Sequence, residues 1–139
     1  MSKSSHALAA APAGTGSPGR EAVYKTLFGH VPEKVQKRWL VQEHLGRAAT
    51  IDAVEHVRRV AIADNPLGLK TQQLVQFGQL AVLSHADSAL LHARAALRAG
   101  ASLEDLAGVA ETALITAGVP GYSLGLRIIE TLIEEQTSR

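Results

Sequence analysis

Glycine and proline cut this chain into pieces that are each long enough for a helix and joined by very short connections. The breaks are Gly29, Pro32, Gly46, the run Asn65-Pro66-Leu67-Gly68, Gly100 and the triplet Gly118-Val119-Pro120. Glycine closes helices because it enters the left-handed region with no Cβ penalty. Proline opens them because its missing N–H is unpaired in a first turn anyway. Between breaks the apolar residues recur at helical spacing, as with Val35, Trp39 and Leu40, and strand-like alternation is scarce. The segments read as a short helix from Pro18 to Gly29, a second from Pro32 to Gly46, and a third, IDAVEHVRRVAIA, capped by Thr50 with Asp52 in its first turn. LKTQQLVQFGQLAVL follows the Asn65–Gly68 loop. Ser84-His-Ala-Asp87 has the form of a capping box and places the start of another helix near residue 84, running to Ala99. Ser102-Leu-Glu-Asp105 repeats the pattern and starts a helix through about Ala117, and the last runs to about Glu135. Six or seven helices with short connections predict an all-α bundle of antiparallel neighbours.

A chain of 139 residues supports one domain, expected over residues 18–139 behind a flexible arm at 1–17 that is rich in Ala, Gly, Pro and Ser. Apolar residues make up 46% and charged residues 19%, a balance that favours a packed core over disorder. A net charge of +1 gives no field to recruit nucleic acid or an anionic membrane, and neither is expected as a partner. No apolar run is long enough to span a bilayer, and the early Ala-rich patch lacks the bulky apolar run of a signal peptide, so a cytoplasmic location is expected. There is no cysteine, which removes disulfides, thiolate metal sites and thiol redox chemistry together. The apolar supply between Leu74 and Leu132 exceeds what one small bundle can bury, which predicts an oligomer, or else one large internal pocket.

The stretch HADSALLH, residues 85–92, carries the candidate chemistry. On a helix beginning after Ser84, His85, Ser88 and His92 share one face. His85 and His92 then stand about 10 Å apart along the axis, too far to share a metal ion, and the i, i+4 histidine pair of zinc helices is absent; no metal site is expected. A first-turn position would keep His85 neutral, suited to act as a base, while Asp87 pulls the other way. The plainer alternative is an exposed His85 and a half-buried His92 bonded to a carbonyl. Gln72, Gln76 and Gln79 fall at i, i+4 and i+7 with Gln73 adjacent, either lining a pocket or forming a solvated stripe.

Residues 90–120, LLHARAALRAGASLEDLAGVAETALITAGVP, resemble the carboxymuconolactone decarboxylase and alkylhydroperoxidase D superfamily, with Leu91-His92-x-Arg94-Ala95-Ala96-Leu97 and Gly100 similar to the decarboxylase branch. The likeness extends over about residues 66–135. It implies an all-helical domain built around a helical hairpin, assembled with itself into trimers or hexamers. The peroxidase branch carries the order E-x11-C-x2-C-x3-H. Anchored on His92, that order puts Ser88 and His85 at the cysteine positions and Gln73 at the glutamate. A hydroxyl does not reduce peroxide as a thiolate does, so cysteine-based peroxidase chemistry is excluded. The decarboxylase branch implies a lyase of aromatic-compound catabolism needing no cofactor, acting on a small carboxylate or lactone, with His92 as acid/base and His85 and Ser88 beside it. Gln73 and Gln76 are candidates to contact the substrate, and Arg94, Arg98 and Arg127 to grip its carboxylate, although Arg94 points away from His92 in helical phase. Ser88 stands where that branch commonly has an acid, with Asp87 or Glu111 as possible substitutes; Glu111 lies in an apolar helix, where burial would raise a carboxylate pKa and exposure would not. The alternative is an accessory helical oligomer that keeps the scaffold without the chemistry.

Overall fold

The computed structural model describes residues 18–139, and the arm expected over residues 1–17 lies outside the described residues. The described residues form seven helices and no strand: α1 (Pro18–Phe28), α2 (Glu33–His44), α3 (Ala48–Ala63), α4 (Leu69–Val82), α5 (Ala86–Arg98), α6 (Leu103–Ala117) and α7 (Val119–Thr137). The all-α class follows the glycine and proline breaks, which separate six segments, and the seventh helix comes from the further break at Ser84 between α4 and α5. Where one domain was expected, the chain divides into two compact units, one reaching to Arg59 and the other covering Val60–Arg139.

The first unit has a small aromatic core. Tyr24, Val31, Val35, Trp39 and Ile51 are buried together, with Phe28 against them. The rings of Tyr24 and Trp39 meet edge to face at 5.7 Å, the favoured aromatic geometry. Inside this core lies a carboxylate. Glu55 is 4% exposed, and its Oε1 accepts from the Tyr24 hydroxyl at 2.9 Å and from Trp39 Nε1 at 3.3 Å. Its Oε2 accepts from Arg58 Nε at 3.2 Å, and Arg58 also covers the Tyr24 ring at 5.2 Å. A buried charge is tolerable only when paired and hydrogen-bonded, and these donors supply both. Arg20, also buried, donates to Asp52 Oδ1 at 2.7 Å and to Glu43 Oε1 at 2.9 Å, tying α1 to α2 and α3.

The second unit holds the larger core, centred on Phe77, Ala89, Ala93, Ala96, Leu106, Ala110, Ile128 and Leu132. Helix α4 packs on α5 and α6, and α7 packs on all three. Alanines and glycines let the helices approach closely. A Cβ on Gly125 of α7 would lie 2.8 Å from Ala110 Cβ of α6, and one on Gly78 of α4 would lie 2.8 Å from Val109 Cγ1.

Two expected helix starts are corrected. Helix α3 begins at Ala48, so Thr50 is inside its first turn, with its N–H bonded to the Arg47 carbonyl, and is not the cap. Ser84 closes α4 and does not open α5. It adopts φ +61, its N–H reaches Ala81 O at 3.2 Å, and His85 N–H reaches back to Leu80 O at 3.0 Å. That pair of bonds is a Schellman closure, with serine where glycine is usual. His85 is the N-cap of α5 and makes no side-chain cap bond. The second capping box forms as expected, with Asp105 N–H bonded to Ser102 Oγ at 3.0 Å and Ser102 N–H to Asp105 Oδ2 at 2.9 Å.

Candidate functional site

The α4–α5 contact brings His92 against the glutamines. Gln73 on α4 is 0% exposed. Its Oε1 lies 2.7 Å from Nδ1 of His92 on α5, and its Nε2 donates to Gln76 Oε1 at 2.9 Å. The three side chains form a line of hydrogen bonds from a half-buried imidazole, through a fully buried amide, to a half-buried amide one turn along α4. An amide oxygen only accepts, so this contact pairs with a proton on Nδ1 of the ring. An amide also adds no charge beside the ring, unlike a carboxylate at the same position.

The other expected site residues are placed as follows. Ser88 is half-buried on α5 one turn before His92, and His85 is exposed at the N-cap. Arg94 is engaged elsewhere: its Nε donates to Glu135 Oε2 of α7 at 3.1 Å, with a second bond from its NH2 to Oε1. That partner raises the Arg94 pKa and holds the Glu135 carboxyl below its usual range. Arg98 and Arg127 are exposed, as are Asp87 and Glu111, so the burial considered for Glu111 does not occur. Among the described residues no three His, Cys, Asp or Glu side chains gather where they could hold a metal ion. No helix among them is long and apolar enough to cross a membrane.

The glutamine stripe is split by its surroundings. Gln72 is buried and donates to Ala61 O at 2.8 Å, Gln73 and Gln76 join His92, and Gln79 is exposed on another face. That other face borders a cavity of about 730 Å³ between α4 and α6, lined by Leu74, Val75, Gly78, Val82, Val109 and Ala113 among others. At roughly 100° per residue, Val75, Gly78 and Val82 lie on the side of α4 away from Gln73 and Gln76. The lining contains neither histidine nor arginine. The pocket expected where the histidines and glutamines converge is therefore not this cavity. The sequence signal for the cavity was the pair of mid-helix glycines, Gly78 and Gly108, which border it from either side.

Comparison with known proteins bears on this arrangement. A crystal structure from Burkholderia xenovorans LB400, provisionally named a carboxymuconolactone decarboxylase, superposes with a TM-score of 0.73 over 86% of this chain and 90% of that one, at 23% identity. The fold is shared at that level. No curated protein matches the chain. The model of the carboxymuconolactone decarboxylase family matches residues 48–131, which takes in α3 to α6, the His92–Gln73–Gln76 line and most of α7. With the match covering more than half of its length, the chain belongs to the carboxymuconolactone decarboxylase family.

Proposed function

We propose that the protein is a cofactor-independent enzyme acting on a small carboxylated or lactone compound, with His92 as its acid/base group. The observation that carries this reading is the 2.7 Å bond between His92 Nδ1 and the buried Gln73. It orients the ring and directs proton exchange to Nε2, while the partial exposure of His92 leaves the ring within reach of solvent. Decarboxylation replaces a carbon–carboxylate bond with a carbon–hydrogen bond. Carbon dioxide leaves its bonding pair on carbon, and one proton must arrive there. His92 Nε2, charged with a proton from water, supplies it, and the neutral imidazole is then recharged from solvent. Gln73 Oε1 accepts from Nδ1–H throughout, so the ring need not turn during the cycle. Gln73 and Gln76 act through His92 in this scheme and not on the substrate. Ser88, one turn away, is the nearest hydroxyl candidate on α5, and His85 is a subsidiary one at the helix start. Arg98 and Arg127 are candidates for gripping the carboxylate, since Arg94 is already paired with Glu135.

A panel of small carboxylated lactones, followed by carbon dioxide release, tests this. His92→Gln should keep the fold and lose about 10²–10⁴-fold in turnover, the usual worth of a general acid or base. A variant that lowers the melting temperature and leaves turnover intact would make His92 structural. The second reading is an accessory oligomer without chemistry. The cavity between α4 and α6 favours it, because its lining carries no acid–base histidine. Absence of turnover over the whole panel would select that reading.

A further inference from the structure

The cavity between α4 and α6 has an apolar floor and a polar rim. Leu74, Gly78 and Val82 of α4 and Val109 and Ala113 of α6 form the floor, and all of them are buried or half-buried. They recur at steps of four residues, so each helix turns one continuous stripe toward the cavity. The volume of about 730 Å³ lies within the roughly 300–1,000 Å³ of small-molecule sites. Gly108 keeps one wall open, since a Cβ added there would meet nothing within 4 Å. The rim is exposed: Thr71 and Gln79 on α4, and Asp105, Thr112 and Thr116 on α6. Two of its hydroxyls have already given up their protons. Thr112 Oγ1 donates to Gly108 O at 2.9 Å, and Thr116 Oγ1 donates to Thr112 O at 3.4 Å. A hydroxyl has one proton and two lone pairs, so both oxygens are left to accept. With the Asp105 carboxylate, the α6 side of the rim is a row of acceptors. Among the described residues that line the cavity, Asp105 alone is charged. The Ser102 backbone N–H holds its carboxyl below the usual range, and nearby Lys70 lowers it further.

We propose that this cavity is a second ligand site, separate from His92, for an uncharged apolar molecule that ends in a hydroxyl, of the phenol class. The apolar body covers the floor around Gly78, and the hydroxyl donates to Thr112 or Thr116. The same lining turns a carboxylate away. No guanidinium or ammonium stands among the described lining residues to meet it, and Asp105 repels it. Thr71 and Gln79 can donate, but neither carries a charge. A hydrocarbon of the same shape fits the floor and forfeits the bond at the rim. Lys70 already counters Asp105, so an ammonium gains little over a neutral hydroxyl. The competing occupant is a helix of a second copy laid along the groove. An apolar helix face brings no donors, and it would take the threonine oxygens out of water with nothing in return. The proposal does not depend on the acid–base reading of His92, because Gln73 and Gln76 lie on the opposite side of α4.

The test is a calorimetric titration of the full chain at neutral pH with 4-ethylphenol, ethylbenzene and 4-ethylbenzoate. The phenol should bind about 3–10-fold more tightly than the hydrocarbon, the worth of one neutral hydrogen bond, and the benzoate should not bind. Thr112→Val combined with Thr116→Val keeps the shape and removes both acceptors. It should bring the phenol down to the affinity of ethylbenzene and leave ethylbenzene where it was. Gly108→Leu places a side chain in the open wall and should abolish binding of both. Should Gly108→Leu fail to fold, the wild-type ranking and the double valine variant decide. Benzoate bound as tightly as the phenol overturns the proposal, as does an affinity unmoved by Gly108→Leu in a folded chain. Phenol binding that is lost in His92→Gln also overturns it, by placing the molecule at the other site. No binding of 4-ethylphenol at millimolar concentration does the same, and leaves the groove to a second copy.

Discussion

A side chain with a Cβ at φ +61 is held where glycine rests without strain, and Ser84 is such a residue. Its side chain is exposed and caps nothing. Left-handed geometry costs roughly 1–2 kcal/mol for a residue with a Cβ, and glycine returns part of that as extra freedom in the unfolded chain. Ser84→Gly should therefore raise stability by about 0.5–1 kcal/mol, read as a higher urea midpoint with unchanged slope. The sequence presented Ser84 as a cap for α5 because Ser-x-x-Asp has the same spelling in either role. The deciding feature was the bond from His85 N–H to Leu80 O, which depends on where α4 stops. The pairing of Gln73 with His92 was more legible, since both stood at matched positions of one motif, but Gln76 as the next acceptor needed the rotamers. Tyr24 gives a prediction of another kind. Burial, with Glu55 beside it, pushes its hydroxyl from 10.0 up to about 12. The folded state thus holds the proton after the unfolded state has released it. The associated stability is complete below pH 10 and is lost as the pH rises from 10 to about 12. Tyr24→Phe should flatten that alkaline decline relative to the wild type in urea titrations at each pH.

Helix pairs show which glycines the fold requires. Gly125 lets α7 lie against α6: an added Cβ would stand 2.8 Å from Ala110 Cβ and 3.4 Å from Ala110 Cα, and neither can swing aside. Gly108, on α6, has nothing within 4 Å of the same addition. Gly125→Ala should destabilise by about 1–2 kcal/mol, overpacking outweighing the better helix propensity. Gly108→Ala should stabilise by up to about 1 kcal/mol through propensity alone. Thermal unfolding of the two variants, run in parallel, checks the opposite signs. Both are glycines inside a helical segment of the sequence, and only the facing helix separates them. The helices themselves were legible because their ends are marked chemically: by Gly29, Gly46, Gly100 and Gly118, all at positive φ, and by the Ser102–Asp105 box. Thr50 failed as a marker because the turn at Gly46 leaves room for α3 to begin at Ala48, and the Arg47 carbonyl takes the Thr50 N–H.

The division of the chain into units was not legible, and the cavity between α4 and α6 had only the mid-helix glycines Gly78 and Gly108 as its signal. Both depend on which faces meet, and periodicity gives only that a face is apolar. What periodicity did give is a surplus. In the second unit Ile115 is 86% exposed, Val119 64% and Leu83 62%. Single exposed apolar residues are ordinary, but Ile115 and Val119 flank one helix junction, and Leu126 and Ile133 continue from Val119 along α7 at seven-residue steps. Val119, Leu126 and Ile133 together form an exposed apolar row along one face of α7. Function points the same way. Arg94 is tied to Glu135, so under the proposed function the carboxylate of a substrate would fall to Arg98, to Arg127 or to a guanidinium of another copy. We therefore expect self-association of the 14.7 kDa chain, and the family resemblance implies three or six copies. Sedimentation equilibrium at micromolar concentration should return such a multiple, and Ile115→Glu combined with Val119→Glu should lower it. The doubly substituted chain should keep its helical circular dichroism, because these side chains lie largely outside their own unit's core. A wild type that sediments as a single chain removes the expectation. A double variant that unfolds would show that the exposed row belongs to the core of one copy and not to a seam between copies.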